Sequence, residues 1–184
     1  MNRDSELILF PEIVTNRFLL RPLDVKDVSD RYVAWLGDPV IGQYISSAAN
    51  RPTLADLKQY VLQRVFRDDV VFLGIFEKES GLHIGNIKFE PVNSELGYTI
   101  MGILIGDSNW RGKGVAAEVL IASADWLRRH RNINQIALGV SRSNVRAIAA
   151  YRKVGFVEHT TDLIPDVLAE GITMIWHLKT TRTY

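Results

Sequence analysis

A glycine-rich segment between an apolar strand and a helix constrains the fold of this chain most. Residues 98–105, YTIMGILI, predict a buried strand, and residues 106–117, GDSNWRGKGVAA, join it to a helical pattern over residues 115–130. A short apolar run at residues 136–140 predicts the next strand. Two strands joined through a helix usually pair in parallel, because the helix carries the chain back to the starting edge of the sheet. The centre of the chain therefore predicts a β-loop-α-β unit.

The first half of the chain has the pattern of antiparallel pairing. Glu79, Ser80 and Gly81 predict a hairpin turn between two β-rich runs, and Asp24 and Thr53 are suited to cap two amphipathic helices. The strands expected outside the central unit are residues 17–22, 70–76, 82–89, 156–160 and 172–178, with a further helix at 144–154. Antiparallel strands beside a parallel unit predict an α+β fold.

Length and composition limit the class of protein. The 184 residues have the size of a single domain, taken here as residues 1–184, and the absence of cysteine excludes disulfides, thiolate metal sites and a cysteine nucleophile. The four histidines show no metal-ligand spacing, and a net charge of +1 gives no reason to expect nucleic acid as a partner. Residues 1–10 lack the apolar region of a signal peptide, and the longest uncharged stretch, residues 96–106, is too short to span a membrane. We therefore expect a cytoplasmic protein.

The glycine-rich loop predicts an anion-binding site. Small residues let the backbone approach a ligand, free N–H groups at a helix N-terminus favour negative charge, and Arg111 and Lys113 add positive charge. The phosphate loop of nucleotide triphosphatases does not fit, because Gly106 lies one residue too far from Gly112. In addition, Gly114 stands where a serine or threonine would hold magnesium. The anion is therefore expected to be a phosphate or pyrophosphate bound in another way.

Two further motifs match the loop. Gly112, Gly114 and Ala117 fit the dinucleotide fingerprint G-x-G-x-x-G/A, but a lone match is weak. The tight strand-to-glycine turn of that motif is missing, and the next strand is followed by no acid for a ribose. Arg111, Gly114 and Ala116 fit the second motif, R-x-x-G-x-A.

The second motif resembles Q/R-x-x-G-x-G/A, the coenzyme A loop of the GCN5-related N-acetyltransferases (GNAT). Residues 15–22, TNRFLLRP, resemble the opening strand of the branch that includes ribosomal-protein N-terminal acetyltransferases, and residues 83–87, HIGNI, resemble the third strand. The family signature N-x-x-A/S-x-x-x-Y/F-x-K-x-G-F is matched at Asn144, Ala147, Tyr151, Lys153, Gly155 and Phe156. The resemblance spans residues 15–178. It implies a mixed GNAT sheet of six to seven strands with splayed central strands, flanked by about four helices.

The resemblance implies acetyl-CoA as cosubstrate. The pyrophosphate would be held by backbone N–H groups of Arg111, Gly112, Lys113, Gly114, Val115 and Ala116. The pantetheine arm would pair with the central strand at Ile103, Leu104 and Ile105, with Gly102 as the bulge and the point of splay. A backbone N–H there would polarise the thioester carbonyl. Any Cβ at position 114 is expected to clash.

Asn144 and Tyr151 are seven residues apart, which is two helical turns, so they share a helix face. By resemblance, Asn144 binds the arm of CoA and Tyr151 protonates the leaving thiolate. By residue type alone, Asn144 is equally a helix N-cap and Tyr151 a core aromatic.

A general base is weakly indicated. Close relatives often carry a carboxylate two residues before the central glycine, and this chain has Ile100 there. Glu95, five residues earlier, is the candidate base, acting through a water, and Glu90 and His83 are further candidates. Each is also explained as an ordinary structural or surface residue, and uptake of a neutral amine needs no base.

The acceptor is left open between two classes. Trp35, Tyr44, Phe89 and Trp110 are candidates to line an acceptor pocket, although bulky aromatics are more often core residues. The preferred acceptor is a small-molecule primary amine such as an amino sugar nucleotide, because residues 32–39 and 83–88 resemble relatives that act on amino sugars. The alternative is a protein N-terminus, and a third possibility is a non-catalytic CoA-binding module. No metal, membrane or nucleic acid partner is expected, and the chain is expected to be a monomer or a homodimer.

Overall fold

The computed structural model describes residues 12–44, 51–164 and 170–178. Residues 1–10, for which the sequence predicts no signal peptide, lie outside the described residues. The strands are β1 Ile13–Val14, β2 Phe18–Pro22, β3 Val71–Glu77, β4 His83–Asn93, β5 Tyr98–Ile105, β6 Gln135–Ser141, β7 Val157–Glu158 and β8 Gly171–His177. The α-helices are α1 Asp30–Gly37, α2 Pro39–Gly42, α3 Leu54–Leu62, α4 Val115–Arg131 and α5 Val145–Val154. Within these ranges, no helix is both long enough and apolar enough to cross a bilayer.

The strands form one mixed sheet in the order β1-β2-β3-β4-β5-β6-β8-β7. All neighbouring strands pair antiparallel except β5 and β6, which pair in parallel as the central loop predicts. The predicted α+β class is confirmed, with eight strands and five α-helices in place of six to seven strands and about four helices. The additional elements include β1, which has two residues, and α2, a single turn that Asp38 caps.

The central pair of strands separates soon after it forms. Strands β5 and β6 pair only from Tyr98 with Gln135 to Ile100 with Ala137. Beyond that point β5 continues to Ile105 and β6 to Ser141 without a bridge between them, which leaves backbone groups on both strands free of sheet partners. This opening, which we call the split, lies at the edge of the sheet where the glycine-rich loop begins.

The expected bulge lies on the neighbouring strand. The β4–β5 register runs without a break through Gly102 and shifts between Phe89 and Val92 of β4, so the prediction of a bulge at Gly102 was wrong. In that shift, Glu90 and Pro91 stand opposite Ile100, and the hydroxyl of Thr99 donates to the Pro91 carbonyl at 2.8 Å. The break in register therefore adjoins the start of the split but belongs to β4.

The sheet separates two apolar cores. One core lies against α4 and α5, and its fully buried members include Ile87 and Phe89 of β4. The other lies against α1 and α3 and includes Leu104 of β5. Because side chains alternate along a strand, Lys88 of β4 and Gly102 of β5 belong to the face that α3 covers.

Candidate functional site

The loop between β5 and α4 turns on two glycines with left-handed backbone. Gly112 has φ of 74° and Gly114 has φ of 75°, values that cost any other residue about 1–2 kcal/mol. Gly114 is the N-cap of α4 and supplies no side-chain cap. The nearest atom to a Cβ at Gly114 is Nη2 of Arg17 at 3.8 Å, so the expected steric clash is absent and the restriction comes from φ.

A run of backbone N–H groups faces no protein acceptor at this loop. Among the described residues, no backbone N–H of residues 112–117 makes a hydrogen bond, and the next one, of Glu118, donates to the Gly114 carbonyl at 3.2 Å. The Arg111 N–H donates to Ser108 at 3.3 Å, so it is not available as the sequence suggested. Unpaired donors at the start of a 17-residue helix, at its positive end, form a site for an anion.

The side chain of Arg111 is directed into the protein. Its guanidinium donates to the carbonyls of Ile105 at 3.1 Å and Gly106 at 2.7 Å, and it pairs with Asp38 at 2.7 Å. This hydrogen bond holds the pKa of Asp38 below its usual range. Arg111 therefore fixes the loop to the end of β5 and to the α1–α2 turn, and the free N–H groups come from the residues after it.

A half-buried carboxylate near the start of α4 accepts three hydrogen bonds. Glu118 accepts from the Thr15 hydroxyl at 2.7 Å, from the Arg17 backbone N–H at 2.8 Å and from the Arg17 guanidinium at 2.8 Å. Burial alone would raise the pKa of Glu118, but these donors lower it. Because Arg17 balances the charge of Glu118, this carboxylate does not repel an anion bound at the loop. Lys113 is exposed, with Nζ 5.8 Å from the centroid of the Trp110 ring, and adds positive charge.

The residues predicted to meet the pantetheine arm border the split. Ile103 and Ile105 are half-buried towards the α4 core, and Leu104 packs into the α1–α3 core. Only the backbone of these residues is presented along the strand, which suits pairing with an extended chain. Gly102 lies two residues past the last β5–β6 bridge, and a Cβ built on it meets no atom within 4 Å. An open space therefore lies over Gly102.

Helix α5 begins at the same edge of the sheet as the loop, because β5 and β6 run in parallel. Asn144 caps this helix by accepting from the Ala147 N–H at 3.2 Å, which is its ordinary structural role, and its contact with CoA stays a prediction. Tyr151 is buried beside Phe156, with ring centroids 5.7 Å apart. Burial raises the pKa of Tyr151 to about 12, and its hydroxyl has no hydrogen-bond partner among the described residues.

None of the predicted bases has the position and the protonation behaviour of a base. Glu95 is exposed in the turn before β5, at the opposite end of that strand from the loop, so we do not retain it as a catalytic residue. Burial would raise the pKa of Glu90, but Lys88 and Arg64 lower it. His83 donates through Nε2 to Gly85 and Asn86 among three aromatic rings, and burial lowers its pKa.

The aromatic candidates serve the core more than a pocket. Phe89 is fully buried on the α4 side, so its assignment to an acceptor pocket was wrong. Trp35 is buried and packs over Gly106, where a Cβ would lie 2.0 Å from its ring, so only glycine fits there. Trp110 packs edge-on against Phe18 with centroids 5.3 Å apart, and Tyr44 is half-buried after α2. Trp35 and Trp110 therefore hold the loop in place, and only Tyr44 keeps its assignment.

Sequence reasoning missed a charged cluster on the α3 face of the sheet. It consists of Tyr60, Arg64, Arg67, Lys88 and Glu90, and we call it the Lys88 cluster. The ammonium of Lys88 donates to the Tyr60 hydroxyl at 2.8 Å and pairs with the Glu90 carboxylate at 2.6 Å. The sequence pattern that could have indicated this cluster is the alternation in β4, where the polar residues 86, 88 and 90 interrupt an apolar strand.

Comparisons with known proteins agree with this geometry. The model of the acetyltransferase (GNAT) domain matches residues 17–157. The chain is 26% identical over 175 residues to aminoglycoside N(6')-acetyltransferase type 1 from Klebsiella pneumoniae, covering 84% of this chain and 82% of that protein. The solved structure of AAC(6')-Ib with paromomycin and acetyl-CoA has a TM-score of 0.71 at 25% identity, covering 91% of this chain and 99% of the other. The ribosomal L7/L12 α-N-protein acetyltransferase RimL, solved with coenzyme A, has a TM-score of 0.79 at 15% identity, covering 91% and 98%.

Proposed function

The chain belongs to the GNAT family of acetyltransferases, and we propose that it transfers the acetyl group of acetyl-CoA directly to a primary amine of a small molecule of the amino-sugar type. Acetyl-CoA is the cosubstrate, in keeping with the solved relatives that hold it. The similarity to an aminoglycoside acetyltransferase supports a small polar amine as acceptor, although it does not fix which one. RimL is 15% identical to this chain, and this similarity concerns the fold and not the substrate.

The free N–H groups of residues 112–117 carry this proposal. They lie where β5 ends and α4 begins, and they offer several donors to one anion at the positive end of a helix. A pyrophosphate has the charge and the number of acceptor oxygens to use them. From this position, the pantetheine arm would extend along Ile105, Leu104 and Ile103 towards Gly102, with Asn144 at the neighbouring edge of the sheet.

The reaction needs one bond formed, one bond broken and one proton moved. The amine nitrogen bonds to the acetyl carbonyl carbon, the carbon–sulfur bond breaks, the nitrogen loses a proton and the departing sulfur gains one. The chain has no cysteine to carry the acetyl group, which supports direct transfer. A backbone N–H in the split would stabilise the negative charge that develops on the carbonyl oxygen.

Tyr151 is proposed to stabilise the departing sulfur. With a pKa of about 12 the phenol stays protonated at neutral pH. A thiol of ordinary acidity has a pKa of about 8.5, so complete proton transfer from the buried phenol would be uphill by roughly 5 kcal/mol. We therefore assign Tyr151 a hydrogen bond to the developing thiolate, with the proton on sulfur coming finally from the amine or from water.

The amine is proposed to enter in its neutral form. Although burial alone would raise it, the pKa of each of the partly buried carboxylates Asp27, Glu90 and Glu118 is lowered by hydrogen bonds and nearby cations, which is the opposite of the shift that a base near neutral pH needs. The rate should therefore rise with pH until the pH passes the pKa of the acceptor amine by about one unit, which for an amine with a pKa near 8 is about pH 9.

A thiol-release assay over a panel of amines tests the proposal. The panel contains amino sugars, amino sugar nucleotides, polyamines and peptides with free N-termini, each with the wild type and with Tyr151→Phe. We expect turnover of an amino sugar, about 100-fold lower kcat in Tyr151→Phe, and unchanged affinity for CoA. The wild-type kcat should not fall up to about pH 10, because Tyr151 remains protonated.

Three outcomes would contradict the proposal. Turnover of peptides alone would favour a protein N-terminus as acceptor. Tight CoA binding without turnover of any amine would indicate a CoA-binding module. A kcat that is unchanged in Tyr151→Phe would remove Tyr151 from the reaction.

A further inference from the structure

The open space over Gly102 has a charged wall. In the β4–β5 register, Lys88 stands directly opposite Gly102, and residues paired in this way have Cβ positions about 5 Å apart. Both residues belong to the α3 face of the sheet, since their neighbours Ile87 and Phe89 are buried on the other face. Because Gly102 contributes no side chain and nothing lies within 4 Å of its Cβ direction, a molecule in this space would lie beside the stem of Lys88.

The ammonium of Lys88 is held in place with a donor to spare. It donates to the Tyr60 hydroxyl at 2.8 Å and to Glu90 at 2.6 Å, and its side chain keeps 27% of its surface exposed. An ammonium has three N–H donors, so two are used by these partners and one remains for a further acceptor. The two fixed partners also reduce the entropy that Lys88 loses when it binds a ligand.

The negative charge of Glu90 is already shared with other cations. Arg64 binds its carboxylate at 3.0 Å and Arg67 at 2.9 Å, so Lys88 is the third cation on one carboxylate. Asp69 is a second carboxylate, and it pairs with Arg67 at the exposed side of the cluster. Positive charge therefore exceeds negative charge in the Lys88 cluster on the side of Gly102.

A second unpartnered donor lies on the same face of β4. Asn86 is 4% exposed, and its Oδ1 accepts from His83 Nε2 at 2.8 Å. The same imidazole nitrogen bonds the Gly85 carbonyl, which can only accept, so Nε2 carries the proton. Asn86 must therefore present its oxygen and not its NH2 group to His83. Its Nδ2 is left without a partner among the described residues, and a buried donor in this state costs about 1–3 kcal/mol. Asn86 pairs with buried Leu104 and its amide is inaccessible, so of the two donors on this face only the Lys88 ammonium is open to a ligand.

We propose that the space over Gly102 takes an anionic group of the acceptor, a carboxylate or a phosphate, with Lys88 as its ion-pair partner. This inference rests on the proposed function, because it names the chemistry of the amine that is acetylated. Lys88 is here a specificity-determining residue that contacts the acceptor away from the reacting amine. A polycationic acceptor would meet the net positive charge of the Lys88 cluster at this position, so we infer that the chain differs in substrate from its aminoglycoside-modifying relatives.

A matched set of amino sugars tests the inference. D-glucosamine has no anionic group, D-glucosaminic acid adds a carboxylate, D-glucosamine 6-phosphate adds a phosphate, and kanamycin is a polycation. Thiol release measures kcat/KM for each, and calorimetric titration of the CoA-bound protein measures affinity independently of turnover. At least one of the two anionic probes should exceed D-glucosamine by about tenfold or more in both measurements, with kanamycin the poorest.

Three variants assign the preference to one charge. Lys88→Met should reduce the ratio of the favoured anionic probe to D-glucosamine to about one, and Lys88→Arg should restore much of it. Lys26→Met removes an exposed lysine of the segment before α1 and should leave the ratio unchanged. Melting temperature and CoA affinity are measured for all three, so a merely structural role of Lys88 would show as equal losses for charged and uncharged probes.

The failures of the two proposals are distinguishable. Turnover of D-glucosamine at least as fast as both anionic probes, or a Lys88→Met variant that keeps the ratio, overturns the anionic subsite and leaves the acetyltransferase intact. Absence of detectable binding for both anionic probes overturns it as well. Absence of thiol release with every amine of the larger panel counts against the proposed function itself.

Discussion

The glycine-rich loop, with free N–H groups at residues 112–117, and the Lys88 cluster present positive charge through different parts of the chain. The loop offers backbone N–H groups and the positive end of the α4 dipole. The side chain of Arg111 does not contribute, because it donates to the carbonyls of Ile105 and Gly106. The Lys88 cluster offers an ammonium from β4, a phenol from α3 and two guanidinium groups from the segment that follows α3. One site therefore depends on φ angles, and the other depends on the chemical groups of individual side chains.

This difference determines which changes each site tolerates. A backbone site survives the exchange of most side chains but fails when one residue cannot adopt the required φ. A side-chain site survives small backbone adjustments but responds to the loss of a single polar atom. The same contrast explains why a short sequence motif marks the first site, while the second is visible only once α3 and β4 are brought together.

The largest effect is expected from Gly114→Val. Valine at φ of 75° is strained by about 1–3 kcal/mol, and relief of this strain would move the N–H groups that follow it. We expect the KM for acetyl-CoA to rise about 10- to 100-fold, with little change in the KM for the acceptor. Steady-state kinetics with each substrate varied in turn measures both constants.

Gly81→Val is the matched control for this variant. Gly81 has φ of 69°, its Cβ direction is open, and it lies in the β3–β4 hairpin turn away from the loop. Its replacement should lower the unfolding free energy by a similar amount while leaving the KM for acetyl-CoA unchanged. If Gly114→Val folds and keeps the wild-type KM, the loop does not bind the pyrophosphate.

The course of the chain was predictable wherever local patterns decide it. Strand β5 has the bounds that its apolar run predicts, Thr53 caps α3 together with Asp56, and Gly155 ends α5 in a left-handed conformation. Asp24, in contrast, caps only a short 3-10 turn, and α1 begins later with Ser29 as its N-cap. Two successive caps with short spacing compete for one helix start, and tertiary packing selects between them.

The candidate site was predictable only in its backbone part. The glycines of the loop follow from local spacing. Tyr151, in contrast, is indicated only by the family resemblance, and the pairing of Arg111 with Asp38 joins residues distant in sequence. Phe89 shows the limit of residue type, because one step along a strand separates the buried α4 face from the α3 face where Lys88 lies. Lys88 and Tyr60 come together only through the docking of α3 on the sheet.

An intermediate effect is expected from Tyr60→Phe. The variant removes the hydroxyl that accepts from Lys88 at 2.8 Å and keeps the ring over which the Arg64 guanidinium lies at 3.7 Å. One hydrogen bond of this kind contributes about 0.5–1.5 kcal/mol. We expect the KM for an anionic acceptor to rise about three- to tenfold, while the KM for acetyl-CoA stays constant. Equal changes in both constants would show that Tyr60 supports the whole sheet and not the acceptor side.

The smallest effect is expected where the two regions are joined. Asp38 ends α1, caps α2 by accepting from the Val40 N–H at 2.8 Å, and pairs with Arg111 of the loop at 2.7 Å. Asp38→Asn keeps the cap through its amide oxygen, since asparagine is an equally good N-cap, and removes both the charge and the second acceptor oxygen that pairs with Arg111. Because both side chains are partly exposed, the pair is worth roughly 0.2–1 kcal/mol.

We expect Asp38→Asn to raise the KM for acetyl-CoA by about twofold and to leave the affinity for the acceptor within the same factor. Asp30→Asn is the control, because Asp30 is an exposed acid in the first turn of α1. If Asp38→Asn instead changes the constants for both the acceptor and acetyl-CoA about tenfold, α1 and α2 couple the loop to the acceptor site. In that case the backbone site and the side-chain site are energetically one unit, and their separate responses to Gly114→Val and Tyr60→Phe should also disappear.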